Sequence, residues 1–144
     1  MKEQNYANHK KFSVGYHFVT AALLLVLSIA SVYTLYVSFK TSTDMRYAVM
    51  FFLILLVLIF NYTYLRAFAL KAQDRAIRAE ENLRHYVITG KLSDPKLSMS
   101  QIIALRFASD EEFVLLSQKA SKEDLKSDDI KKAIKNWRAD HNRL

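Results

Sequence analysis

Two uncharged apolar runs lie close together early in the chain and constrain its fold more than any other feature. Tyr16 to Phe39 is 24 residues without Asp, Glu, Lys or Arg, and Tyr47 to Leu65 is 19 more. A bilayer core of about 30 Å is crossed by roughly 20 apolar helical residues, so each run is long enough to span. The seven residues from Lys40 to Arg46 can only turn the chain back. The expected architecture is all-α: a two-helix transmembrane hairpin at 16–65, with spans at about 16–39 and 47–65. A helix extension over 66–89 and a small helical C-terminal domain over 91–144 complete it.

Composition supports this reading. With two glycines and one proline in 144 residues, little chain is left for loops, and helix is the default. The absence of cysteine excludes a disulfide framework, a thiol nucleophile and Cys-bound zinc or iron–sulfur centres. Ser28-Ile29-Ala30 resembles a signal-peptide cleavage site, but the apolar run continues well past it, too long for a signal h-region. The first run is therefore read as a retained span.

Lys and Arg near the spans set orientation. Lys2, Lys10 and Lys11 precede the first span, Lys40 and Arg46 sit in the turn, and Arg66, Lys71, Arg75, Arg78 and Arg84 follow the second. Both termini are expected in the cytoplasm, with the turn outside. Residues 1–15 read as an interfacial lead-in, anchored at the headgroups by Tyr6, Phe12, Tyr16 and Phe18. Lys10, Lys11, Arg66 and Lys71 are the expected contacts to anionic lipid.

Two stripes are candidate interfaces. In the first span, Ala21, Ser28, Ser31 and Ser38, with Leu24 and Leu35 between them, share one helix face, and small residues let backbones approach closely in lipid. They suit packing against the second span or against another subunit. Beyond the bulky second span nothing breaks the helix before Gly90, so one helix is expected from about Tyr47 to Thr89. On it Ala69, Ala72, Ala76, Ala79, Leu83 and Tyr86 repeat at alternating spacings of three and four, a heptad-like seam. Lys71, Asp74, Arg75, Arg78 and Glu81 lie off it. Such a seam requires a close-packed partner helix, whether a copy of the chain, the C-terminal domain or another protein.

After a turn at Asp94-Pro95, three short helices are expected at about 99–108, 110–120 and 128–139. Capping boxes at Ser98…Gln101 and Ser109…Glu112 mark the first two, and Ser127 before Asp128-Asp129 marks the third. Ile130, Ala133, Ile134 and Trp137 fall at core-facing helical spacing. Ile102, Leu105, Phe107, Phe113, Leu116 and Leu125 would complete a small core. Fewer than about 50 residues make a marginal domain, which must lean on the long helix or a partner.

Three stretches carry a resemblance: the opening Gln4-Asn-Tyr-x-Asn8-His9, the run from Ala104 to Phe113, and the ending from Ile130 to Asp140. They resemble a family of small bacterial inner-membrane proteins of unknown function, found mainly in Bacteroidota. The resemblance implies a multi-pass protein of the bacterial cytoplasmic membrane with a cytoplasmic helical tail. It brings no activity and no catalytic residue.

The chemistry is equally sparse. Neither span holds a charged side chain, where pumps and relays place ionisable groups. His9, His17, His85 and His141 include no pair at helical metal-ligand spacing. Two glycines cannot form a phosphate-cradling loop. Residues 66–144 carry 16 basic against 12 acidic side chains, a mixed field that suits lipid headgroups better than nucleic acid. No cofactor, metal or catalytic residue is expected. The expected role is an accessory or scaffold subunit of a bacterial inner-membrane complex. The alternatives are a self-assembling homo-oligomer and, behind it, a small interfacial membrane enzyme using His9, His17 and Asn61 or a membrane-tethered nucleic-acid binder. The chain's expected partners are other membrane subunits or copies of itself, together with anionic lipids.

Overall fold

The computed structural model describes residues 4–9, 13–42 and 44–140. It is all-helical, in the order α1 (Ala21–Thr41), α2 (Met45–Thr89), α3 (Met99–Leu105), α4 (Asp110–Glu123) and α5 (Ser127–Ala133). A π-helical stretch, Gly15–Thr20, leads into α1, and Thr20 Oγ1 donates to Gly15 O across it (3.0 Å). Two compact units result: Phe12–Ala69, and Met1–Lys11 with Leu70–Leu144.

The first unit is a helical hairpin. Gly15–Thr41 and Met45–Thr89 are both long and apolar enough to cross a membrane. Ala48 and Leu55 of α2 are buried, as are Ser31 and Ser38 of α1, so the small-residue stripe faces into the hairpin. Near the open end Tyr16 stacks on Tyr62 with ring centroids 4.5 Å apart, and each hydroxyl donates to the other residue's carbonyl. Hydroxyls within the spans mostly satisfy themselves against the preceding turn. Ser28 and Thr34 donate to Leu24 O (2.7 Å) and Ala30 O (2.8 Å).

α2 runs 45 residues without interruption, roughly 68 Å at about 1.5 Å per residue. It ends where Gly90 takes a left-handed φ of 73° and donates its N–H to Tyr86 O (2.7 Å), a helix stop that glycine adopts without a Cβ penalty.

The second unit is built on Ile77, Leu97, Ile102, Ala104, Leu105, Phe107, Ala108, Phe113, Ala120, Ile130 and Ile134. From α2 it takes Ile77, Glu81 and His85, all buried and four residues apart, with Arg84 beside them. The capping box at Ser98 and Gln101 is present. The Gln101 amide also donates to Leu125 O (2.9 Å) and Asp124 Oδ1 (3.2 Å), tying the start of α3 to the turn after α4.

Two local expectations are corrected. Ser109 caps α4 by position only, with no side-chain bond into the helix. Glu112 instead accepts from the backbone N–H groups of Lys135 (3.0 Å) and Asn136 (3.2 Å). The last helix stops at Ala133 rather than continuing to 139, and Ile134 is extended. Beyond it, Ser109 N donates to Asn136 O (3.0 Å) and Arg138 N to Phe107 O (2.8 Å). A bridge between Ala108 and Trp137 results. The helical spacing of Ile130, Ile134 and Trp137 is real, yet tertiary acceptors capture the amides that a further turn would need. Ile134 and Trp137 still reach the core from extended chain.

Candidate functional site

The three stretches that carry the family resemblance meet in the second unit. Asn5 and Asn8 fold the opening back on itself: Asn5 Oδ1 accepts from Ala7 N (2.9 Å) and Asn8 Oδ1 from Asn5 N (2.7 Å). Such side-chain-to-backbone bonds stabilise tight turns. This turn aims His9 inward, where it is 7% exposed. Its ring lies 5.9 Å from Tyr6, 6.0 Å from Phe107 and 5.9 Å from Trp137. Nδ1 is 2.7 Å from Tyr6 O. A carbonyl only accepts, so the proton is on Nδ1. Nε2 then accepts from Lys131 Nζ at 3.3 Å.

Polar contacts surround this pocket. Tyr6 donates its hydroxyl to Asp128 Oδ2 (2.8 Å), and Lys132 pairs with the same carboxylate (3.3 Å). The shared proton raises the phenol's pKa and lowers that of Asp128. Gln4 Oε1 accepts from Asp140 N (2.7 Å), while the Asp140 carboxylate pairs with buried Arg106 (2.9 Å). The opening is therefore held on the small domain, where the Tyr6 hydroxyl is engaged by Asp128. Phe12, Lys2, Lys10, Lys11 and His141 lie outside the described residues.

A second cluster centres on Arg84. Its guanidinium reaches Asp110 (2.6 Å), Ala108 O (2.7 Å) and Glu81 (3.1 Å), and lies 4.3 Å over the Phe113 ring. Burial pushes the Glu81 carboxyl up, against the pull of Arg84, Arg138 and Arg106. His85 Nδ1–H donates to Lys91 O (2.7 Å) and its ring meets Phe113 edge-on. These bonds hold α2, the α3–α4 connection and the C-terminal segment together. Among the described residues, no three His, Asp or Glu side chains are grouped to hold a metal ion.

The predicted interface residues divide by face. Ala21 and Ser28 are half-buried and Ser31 and Ser38 buried within the hairpin. Ser31 lines a cavity of about 170 Å³ with Ala30, Thr34, Ile54 and Leu55, and its hydroxyl has no hydrogen-bond partner among the described residues. On α2, Ala69 is half-buried, whereas Ala72, Ala76 and Ala79 are exposed. Leu83 and Tyr86 are 62% and 52% exposed. This apolar face points away from Ile77, Glu81 and His85, which the small domain covers. Arg66 stacks its guanidinium on Tyr16 (5.6 Å), and Lys71 is exposed.

The His9 pocket and the Arg84 cluster escaped the sequence reading. For α2, the four-residue spacing of Ile77, Glu81 and His85 is a stripe that periodicity could have revealed. The pocket offers no such local signal, since its pieces come from both ends of the chain.

Fold and site define a small all-helical protein with two potential membrane spans and a helical domain that includes both the opening and the closing stretches of chain. The chain belongs to a family of unknown function (DUF6526), which it matches over residues 1–144. No curated protein and no solved structure matches it.

Proposed function

We propose that this chain is a non-catalytic accessory or scaffold subunit of a bacterial inner-membrane complex, acting through helix–helix contact. The observation that carries the reading is the bare apolar face of α2. Its opposite face is fully used within the chain, so the alanine seam is left for a partner. A contiguous exposed apolar stripe on a helix outside lipid marks an interaction surface.

The membrane part of the reading has independent support. Residues 4–9 and 134–140 belong to one folded unit, so both must lie on the same side of any membrane the chain crosses. A two-span hairpin satisfies that condition; a cleaved first run would remove the opening from the unit. The Lys and Arg excess assigns that common side to the cytoplasm, and exposed Lys71 suits anionic headgroups there.

The deciding experiment places a photoreactive amino acid at Ala76 or, as a control, at Arg78, in the full chain in native membranes. Adducts at Ala76 and none at Arg78 are expected. Equal labelling at both positions, or none, refutes a dedicated interface.

A further inference from the structure

We infer that the partner on this face is a second copy of the chain, parallel and in register, with Arg75 of each copy paired to Glu80 of the other. The inference rests on the interaction reading above and supplies its partner. Ala72, Ala76, Ala79, Leu83 and Tyr86 follow the alternating four-and-three spacing of a two-stranded left-handed coil. They are exposed, so pairing leaves the intrachain packing of Ile77, Glu81 and His85 in place.

Charge identifies the occupant. Arg75 immediately precedes the seam residue Ala76, and Glu80 immediately follows Ala79, which places them at the two flanking positions of the heptad. In a parallel pair, the first flanking position meets the second one five residues further along the partner. Arg75 and Glu80 are five residues apart. Two-fold symmetry then makes the contact twice. Both side chains are exposed, and neither forms an ion pair within the chain among the described residues. An antiparallel copy would instead face each flanking position with one of its own kind, so Arg75 would not meet Glu80. Copies inserted in one membrane with the same orientation present α2 in parallel, so topology and charge select the same arrangement. Alanine at three successive seam positions allows close approach of the backbones, and Leu83 and Tyr86 add apolar area at the far end.

The chain has no cysteine, so Ala79→Cys introduces a lone thiol. In a parallel, in-register pair, this position faces its own counterpart within the separation a disulfide bridges. Oxidation of full-length Ala79→Cys in native membranes is expected to give a disulfide-linked dimer. Arg78→Cys, on another face, should give about tenfold less. Adding Glu80→Arg to Ala79→Cys should cut the dimer about tenfold, since both flanking contacts become repulsive. Adding Arg75→Glu as well should restore it. Absence of the disulfide at position 79, or failure of the double reversal to restore it, overturns the parallel copy. If position 79 forms no dimer while a photoreactive group at Ala76 labels a different protein, the copy is refuted and the interaction reading stands. If both fail, both readings fall.

Discussion

The imidazole of His9 stands 5.9 Å from the indole of Trp137, so the opening and closing stretches of the chain share one aromatic pocket. Replacing His9 by Ala removes a buried ring together with its bonds to Tyr6 O and Lys131. A loss of about 2–3 kcal/mol is expected. Trp137 is the only tryptophan, so its fluorescence reports the change directly: a red shift, with earlier unfolding in urea. An unchanged emission maximum and midpoint would show that the pocket contributes nothing.

Glu112 holds the end of the chain away from helix. Glu112→Ala should cost about 1–2 kcal/mol, because two backbone N–H groups lose a charged acceptor. Faster hydrogen exchange at Lys135 and Asn136 checks this, with Ile130 as an internal control.

Arg84→Met should destabilise the second unit by about 3 kcal/mol near neutral pH, since it leaves Glu81 buried without its main partner. The sign of the pH dependence follows from the raised Glu81 carboxyl. Its folded state holds the proton more tightly, so stability is greatest below the ordinary value of 4.5 and falls as pH rises through the raised one. The variant's deficit should therefore shrink in acid. Denaturant melts at two pH values measure it.

The Tyr6–Asp128 bond has limits at both ends of the pH scale. Asp128 is lowered by accepting from Tyr6, so its contribution is present above the ordinary 3.8 and is lost as pH falls through the lowered value. Tyr6 is raised by the same bond, so its contribution is present below 10.0 and is lost as pH climbs through the raised value. In an acid titration followed by Trp137 fluorescence, Tyr6→Phe should lose native emission at higher pH than the parent chain. Coincident curves would contradict the linkage.

Ala76→Leu should weaken assembly by about 1–3 kcal/mol through overpacking of a close contact, whereas Arg75→Leu should do far less. Molecular mass in mild detergent separates the two. Equal assembly would reduce the seam to a solvated helix face.

The helices were legible wherever local rules act alone. Uncharged runs gave α1 and the first part of α2, the lack of Gly or Pro between Tyr47 and Gly90 carried α2 to Thr89, and Ser98 with Gln101 marked α3. The reading failed where a distant group wins. Trp137 fits a helical stripe, but Glu112 and Phe107 take the amides that a longer α5 requires, and no window around Trp137 contains them. The His9 pocket was hidden for the same reason. Its three pieces were already singled out as family-like stretches, but nothing local says that they touch.

That pocket also sets an order of events during synthesis. His9 leaves the ribosome long before Trp137 and Asp140 are made, a wait of roughly ten seconds at about 5–20 residues per second. The apolar hairpin is complete in the interval, while the second unit still lacks its last walls. The stretch around His9 can be enclosed only once Trp137 and Asp140 have been made. Until then Tyr6 and His9 lack the partners that bury them, and the earlier part of the second unit must wait with its aromatic pocket open.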